Sequence, residues 1–509
     1  MLSLQNVVVE FSGRALFAPI TFSFSRVRCG LVGASGTGKT SLARVLAGLD
    51  EPAAGRVVRD APVRLFAQQA PRPAARLDEY LADLWASDAP ATELWHRWLP
   101  ALEPDVPLSD LSGGDWMRVR LLALLAVKGD YVILDEPTNH LDREGRVTVA
   151  EFVDTFPGGL IVISHDRELL RHVDEIVELT ASGLQRFGGD FDFYWHQRGQ
   201  QRRRQDEALE QADRKRKQVA RERVERLEAQ ERRMRAGRRQ GEQAGMPRIV
   251  ANERRRQAEE TRGRVAVQGR EEVSEAEREW RRAAAERQTD PFLRLDFESA
   301  APPAAAVFFS GRELQFQYPN SPRPLWREPL SFVMAGRERW RFGGRNGSGK
   351  STLLRLLCGA VDGVVTGELR RSERPYVYLD QEQSLLPRSG SLLDSLTGQT
   401  RFTPVQLRNE LAFYGFTGAK VNQPVSTFSG GERLRAALAT IFLGLQLPQA
   451  VLLDEPTNNL DFQSQDLLAE ALGRFGGLLV IASHDDGFAE NLGLTNVLSL
   501  EPALAGPSG

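Results

Sequence analysis

Two stretches of this chain are built to grip phosphate. Gly33-Ala34-Ser35-Gly36-Thr37-Gly38-Lys39-Thr40 and Gly344-Arg345-Asn346-Gly347-Ser348-Gly349-Lys350-Ser351 both fit the pattern GxxxxGK[ST]. In such a loop Gly33, Gly36 and Gly38, or Gly344, Gly347 and Gly349, let backbone N–H groups converge on phosphate oxygens. Lys39 and Lys350 would neutralise the β and γ oxygens, and Thr40 and Ser351 would offer hydroxyls to Mg²⁺. Ser41 and Thr352, next in line, complete the two sets of candidate nucleotide contacts.

Downstream of each loop come the groups that hydrolysis needs. Tyr131-Val132-Ile133-Leu134-Asp135-Glu136 and Val451-Leu452-Leu453-Asp454-Glu455 are apolar runs ending in two acids. Asp135 and Asp454 suit a Mg²⁺ ligand; Glu136 and Glu455 suit a general base that polarises water. Leu111-Ser112-Gly113-Gly114-Asp115 and Phe428-Ser429-Gly430-Gly431-Glu432 precede the acids, and His165 and His484 follow them, each after a serine. The Asp-to-His spacing is 30 in both copies, and matching positions are offset by 311 at the lysines, 317 at the serines and 319 at the acids and histidines. Phosphoryl transfer to water requires charge neutralisation, in-line positioning and a base, and both copies contain all three.

The elements that must hold these residues follow from local pattern. Cys29 to Gly33 is a short apolar strand running into the first loop, and Ser41 to Leu49 has helical periodicity. Leu160 to Ser164 is a second apolar strand, ending at His165, and the alternation over Leu2–Phe11 predicts an edge-type strand. The same order of parts in both halves is an internal duplication of about 200 residues. A chain of 509 residues is too long for one core. The expected domains are 1–195, 196–290 and 291–509.

The middle is of another kind. Residues 201–290 hold 26 Lys and Arg against 19 Asp and Glu, a net of +7, which leaves −9 on the flanks. Helices are predicted over roughly 196–236 and 250–288, broken by Gly237, Gly241, Gly245 and Pro247 into an antiparallel hairpin with a basic tip. Leu209, Ala212, Ala220, Val224 and Leu227 form its narrow apolar seam. From Arg214 to Arg256 there are 16 basic and 6 acidic residues. That excess suits contact with phosphate or stacking on bases, and Arg232, Arg233, Arg235, Arg238, Arg239 and Arg248 are the candidate RNA-binding residues.

Cys29 and Cys358 lie in apolar surroundings and read as buried free thiols in a reducing compartment. No run approaches the length of a membrane span, and the N-terminus lacks the pattern of a signal peptide. A cytoplasmic protein without a membrane partner is expected.

Phosphate loop, Ser-Gly-Gly signature, acidic strand end, the turns Leu141-Asp142 and Leu460-Asp461 and the histidine, in that order twice, resemble a tandem ATP-binding cassette protein. The resemblance implies an α/β fold: two P-loop ATP-binding cassette domains joined by a long α-helical hairpin linker. It implies a glutamine near each Mg²⁺, at Gln68 (with Gln69 adjoining) and Gln381. It implies an aromatic under each adenine, at Phe11 and at Tyr318, near which Phe316 also lies. Cassettes of this family close head to tail, so Lys39, Thr40, Gln68, Asp135, Glu136 and His165 would face Ser429 and Gly431. Lys350, Ser351, Gln381, Asp454, Glu455 and His484 would face Ser112 and Gly114. Asp115 departs from the usual Glu or Gln after the signature, yet both sites keep the base and the serine.

Asp-Glu-Pro-Thr-Asn-His-Leu-Asp (135–142), Asp-Glu-Pro-Thr-Asn-Asn-Leu-Asp (454–461) and the run Phe187 to Tyr194 before the hairpin resemble the ABC-F branch of ribosome-associated ATPases. That resemblance implies a monomer whose cassettes pair within one chain. Its ATP-closed form would dock on large-subunit rRNA and tRNA at the vacant exit side, with the hairpin toward the peptidyl-transferase centre. Hydrolysis would release it, and the role would be translation factor or antibiotic-resistance protein. The 44 residues from Gln68 to Ser112 leave no room for an inserted arm, and the 25 after His484 none for a C-terminal coiled coil. Two other readings stand beside it, the ATPase subunit of a separately encoded transporter and a DNA-maintenance ATPase.

Overall fold

A computed structural model describes residues 1–11, 13–67, 71–86, 91–100, 102–126, 130–139, 141–243, 248–286, 301–381, 383–387, 389–458 and 460–503. In the first half a six-stranded sheet runs in the spatial order Gly183–Gly188, Glu175–Thr180, Arg28–Val32, Gly159–Ile163, Tyr131–Asp135, Val63–Phe66. All neighbours are parallel except the first pair. In the second half five parallel strands run in the order Tyr376–Leu379, Ala450–Asp454, Leu478–Ala482, Arg339–Gly343, Asn496–Ser499. The central strands are apolar runs of Val, Ile and Leu because a parallel sheet is covered on both faces. Gly159–Ile163, Ala450–Asp454 and Leu478–Ala482 are accordingly buried at every position. Their carboxyl ends, where polar residues begin, carry the candidate chemistry.

Each half adds a three-stranded antiparallel sheet, ordered Ile20–Phe24, Leu2–Val8, Ala54–Arg59 in the first and Leu330–Ala335, Val307–Gln317, Val364–Arg371 in the second. Leu2–Val8 is therefore a central strand, contrary to the edge position expected, and Glu10–Phe11 is a separate short strand. The alternation arose because one face, Leu2, Leu4 and Val7, is buried. Alternation reports a covered face and says nothing of how many neighbours a strand has. Cys29 is buried as expected, whereas Cys358 is half-buried.

Met1–Asp192 and Pro291–Gly509 form one compact unit, and Phe193–Asp290 forms a second. The helices of the second span Phe191–Gln243 and Arg248–Glu286. The first thus continues through Gly237 and Gly241, which were expected to break it. A helical glycine costs about 1 kcal/mol relative to alanine, and the surrounding Arg, Gln and Glu are good helix formers. Gly245 and Pro247 lie outside the described residues.

The two helices pair antiparallel through Lys215–Glu279 at 2.6 Å and Arg226–Glu272 at 2.8 Å, with the Arg216 guanidinium 4.3 Å from the centre of the Trp280 ring. Leu209, Ala212 and Leu227 are half-buried along this seam, but Ala220 and Val224 are exposed. Arg216, Val219 and Arg223 are half-buried in their stead, and the Arg223 Cγ stands 3.2 Å from where a Cβ on Gly269 would lie. Long arginine stems cover apolar surface while the charge reaches water, so a seam can run through them. Trp280→Ala is expected to destabilise the helix pair by about 1–2 kcal/mol, through lost packing and the lost cation–π contact. Thermal unfolding followed by circular dichroism would register this as an earlier loss of part of the helical signal.

Candidate nucleotide sites

The first phosphate loop leaves the strand Arg28–Val32 and enters the helix Lys39–Ala47. Gly38 caps that helix at φ 93°, and a Cβ there would lie 2.7 Å from Leu16 Cδ1, so both conformation and space require glycine. Lys39 Nζ donates to Gly33 O at 2.8 Å and Ala34 O at 3.1 Å, arching over the loop. Lys350 repeats this at Gly344 O (3.0 Å) and Arg345 O (3.2 Å).

Beside each lysine a hydroxyl meets a carboxylate. Thr40 Oγ1 donates to Asp135 Oδ1 at 3.3 Å, and Ser351 Oγ donates to Asp454 Oδ1 at 2.9 Å. Tyr378 adds its hydroxyl to Asp454 Oδ2 at 3.3 Å, a contact that sequence reasoning missed. A hydroxyl and a carboxylate held together are hard oxygen donors of the kind Mg²⁺ takes. Gln68 lies outside the described residues; Gln381 lines the second site.

Glu136 and Glu455 sit at φ 48° and 46°, a conformation disfavoured for residues with a side chain. Their N–H groups donate to Ile163 O (2.9 Å) and Ala482 O (2.8 Å) on the neighbouring strands, which holds the turn. The carboxylates then face His165 Nε2 at 3.6 Å and His484 Nε2 at 3.5 Å. Burial pushes both glutamates up to about 7, against the pull of Lys39 or Lys350. Burial, with the same lysines, pushes His165 down to about 3 and His484 down to about 4. Both imidazoles are therefore neutral at neutral pH, and Lys350 Nζ can donate to His484 Nε2 at 2.8 Å.

The first site is closed from across the interface. Ser35 N–H donates to Asp461 Oδ2 at 2.9 Å, while Asp461 Oδ1 caps its own helix by accepting from Ser464 N–H at 2.8 Å. Burial alone would raise the Asp461 carboxyl, but these hydrogen bonds outweigh it and hold the group below its usual range. Ser429 Cβ lies 3.9 Å from where a Cβ on Gly36 would stand, so the second signature covers the first loop. Gln465 Nε2 donates to His165 O at 3.3 Å, and Phe462 meets the His165 ring edge-on at 5.5 Å.

The second site is arranged differently. A cavity of about 550 Å³ is lined by the second loop, Tyr318, Gln381, Glu455, Asn458 and His484, and across the interface by Leu141 and Arg146. Arg345 pairs with Glu144 at 2.6 Å. Among the described residues Ser112 and Gly114 do not line the cavity. The Ser112 hydroxyl donates to Asp115 Oδ2 at 2.6 Å, whereas Glu432, one carbon longer, reaches back to Ser429 N–H at 2.9 Å. The shorter acid thus holds the serine hydroxyl and leaves its backbone N–H.

For adenine, Tyr318 lines the cavity and its hydroxyl shares a hydrogen bond with Thr352 Oγ1 at 2.7 Å. Phe316 is fully buried core, and Phe11 is 69% exposed on its own short strand. The contacts that cross the interface, Ser35 with Asp461 and Arg146 into the second cavity, were absent from the sequence reading; their signal was the matched Asp142 and Asp461, each just ahead of a helix.

Asp461→Ala is expected to cost about 2 kcal/mol, a helix cap plus a buried hydrogen bond. Among the described residues Asp142 accepts Gly145 N–H alone, at 3.1 Å. Asp142→Ala should cost about 1 kcal/mol, and denaturant unfolding of the two variants compares them.

A profile of the ABC transporter family matches residues 19–139 and 328–458. ABC transporter F family member 4 of Arabidopsis thaliana is 32% identical over 74% of this chain and 49% of its own length. The probable ATP-binding protein YheS of Escherichia coli K12 is 30% identical over 79% of the chain and 58% of its own length. The chain thus spans little more than half of these relatives. The ribosome protection protein VmlR of Bacillus subtilis is 27% identical over 96% of the chain and 85% of its length. A solved structure of RNase-L Inhibitor shares the fold with a TM-score of 0.56 at 16% identity, over 98% of this chain and 88% of that one. Among the described residues no helix is long and apolar enough to cross a membrane.

Proposed function

The chain belongs to the ABC-F family of tandem ATP-binding cassette proteins, and from that premise we propose that it hydrolyses ATP between its cassettes and, in the ATP-closed state, docks its basic hairpin on the ribosome. The observation that carries the ATPase reading is the crossed arrangement at the first loop, with Ser35 bonded to Asp461 at 2.9 Å and Ser429 against Gly36. The first loop is thereby completed by the other cassette, so nucleotide between them would hold the two together.

Lys39 and Lys350 bind the β and γ phosphates. Glu136 and Glu455 accept the proton of a water whose oxygen bonds to the γ phosphorus as the bond to the β–γ bridging oxygen breaks. ADP leaves with that electron pair, and the proton passes on to the released phosphate. The neutral His165 and His484 stand beside the glutamates and can accept a hydrogen bond from that water. Thr40 with Asp135, and Ser351 with Asp454, would hold Mg²⁺, which supplies charge neutralisation at the transferring phosphoryl group.

The ribosomal half of the proposal rests on charge. Arg232, Arg233 and Arg235 are exposed on the hairpin, as an RNA contact requires; the side chains of Arg238, Arg239 and Arg248 lie outside the described residues. The likeness to VmlR, named a ribosome protection protein, supports this target over a transporter partner or DNA. Docking at the vacant tRNA exit side would point the hairpin at the peptidyl-transferase region, in the cytoplasm, as a monomer. Its role there is translation factor or ribosome protection, and drug susceptibility of a host expressing the chain separates the two. The overall proposal is tested by a hydrolysis-deficient chain carrying Glu136→Gln and Glu455→Gln, whose failure to bind ribosomes with MgATP would refute it.

A further inference from the structure

The duplicated sites receive different residues from across the interface. At the position four residues after the capping aspartate, the first cassette carries Arg146 and the second carries Gln465. Gln465 spans to the His165 carbonyl oxygen. Arg146 instead lines the second cavity with Lys350, Ser351, Glu455 and His484, all from the other cassette. Its helix begins at Arg143, capped by Asp142, which fixes Arg146 in the first turn, and its Nη1 donates to Asp166 Oδ2 at 3.1 Å. Nε lies 3.5 Å from Leu141 O, which leaves Nη2 without a hydrogen-bond acceptor among the described residues.

We propose that Arg146 acts in trans at the second nucleotide site, placing a guanidinium against the phosphoryl group held by Lys350, and that the two ATP sites are thereby unequal. The inference rests on the ATPase reading above. In the hydrolysis step negative charge spreads over the γ-phosphoryl oxygens while the bond to the bridging oxygen breaks, and a cation fixed beside those oxygens stabilises that charge. Gln465, neutral and bonded to backbone, cannot do so at the first site. Asp166 holds one side of the guanidinium in place, as a positioning partner does. A merely structural Arg146 would neutralise Asp166 and contribute nothing to turnover.

The test uses the full chain with MgATP, after wild-type turnover has been established. Glu136→Gln leaves only the second site competent, and Glu455→Gln only the first. In the Glu136→Gln background, Arg146→Gln should lower kcat about 100-fold, with KM moving less than about threefold because the contact strengthens in the transition state. Arg146→Lys should restore at least about tenfold of that loss. In the Glu455→Gln background Arg146→Gln should change kcat less than about threefold. An equal fall in both backgrounds, or no fall in the first, overturns the proposal. So does a lysine variant as slow as the glutamine one. Should Arg146→Gln melt below the assay temperature, Arg146→Lys decides: retention of a tenth or more of kcat supports the proposal and less refutes it. Should neither single-glutamine variant turn over, trapping of ADP with orthovanadate replaces turnover, and the same selective loss on Arg146→Gln is required. A wild-type chain without ATPase activity would overturn the ATPase reading itself, and this proposal with it.

Discussion

A chain carrying Glu136→Gln and Glu455→Gln together should hydrolyse ATP on the order of 10³-fold more slowly than the parent, the usual contribution of a positioned general base. Glutamine keeps the size of glutamate and can occupy the same site, so the turn at φ 48° and 46° persists with its backbone bonds to Ile163 and Ala482. What disappears is the proton acceptor beside each histidine. ATP binding should survive, because Lys39, Lys350 and the loop N–H groups are untouched. Phosphate release measures the first effect, and equilibrium binding of a fluorescent ATP analogue measures the second. A fall of less than about tenfold would remove the glutamates from the role of base.

Reversing the basic tip should have an effect as large on the other half of the function. Arg232, Arg233, Arg235, Arg238, Arg239 and Arg248 changed to Glu take residues 201–290 from a net of +7 to −5. Phosphate contacts by arginine carry much of RNA affinity through counterion release, so ribosome binding should weaken on the order of 100-fold or more at physiological salt. The slope of log affinity against log salt should flatten as well. ATPase activity without ribosomes should stay within about twofold, because none of the six belongs to a nucleotide site and surface substitutions rarely act at a distance. If ribosome binding survives the reversal, the hairpin is a connector and specificity lies elsewhere.

The parts of this molecule that were legible in the sequence are those whose chemistry is contiguous along the chain. A phosphate loop needs its glycines, lysine and hydroxyl within eight positions, and an acidic strand end needs apolar residues directly before it, so Lys39, Asp135 and Glu136 announce themselves twice. Contacts across the cassette interface are not contiguous. Ser35 and Asp461 lie 426 positions apart, and their pairing depends on how two folded surfaces meet. Arg146 reads as an ordinary helix-surface arginine until the second cavity is seen to include it. The hairpin seam failed for a related reason: apolar letters marked Ala220 and Val224, while the facing helix set a register that buries the stems of Arg216 and Arg223. Gly237 and Gly241 were overruled by the propensity of the long helix around them. The central position of Leu2–Val8 depended on neighbours that its own alternation does not report.

The inequality of the two sites bears on how release from the ribosome would work. Asp115 engages the Ser112 hydroxyl at 2.6 Å, and Arg146 projects into the same half of the interface. Closure at the first site already includes the crossing bond from Ser35. If Arg146 acts in trans, hydrolysis at the second site would open a form that crossing contacts hold at both sites, Ser35 with Asp461 and Arg345 with Glu144.

Whether ATP closes the cassettes and the closed form binds ribosomes can be read from co-sedimentation. The Glu136→Gln, Glu455→Gln chain is mixed with purified ribosomes in MgATP or MgADP and spun through a sucrose cushion. Protein is expected in the ribosomal pellet with MgATP, little with MgADP, and little with MgATP once Lys39 and Lys350 are also changed to alanine. Equal pelleting under all three conditions, or none in MgATP, would contradict that expectation.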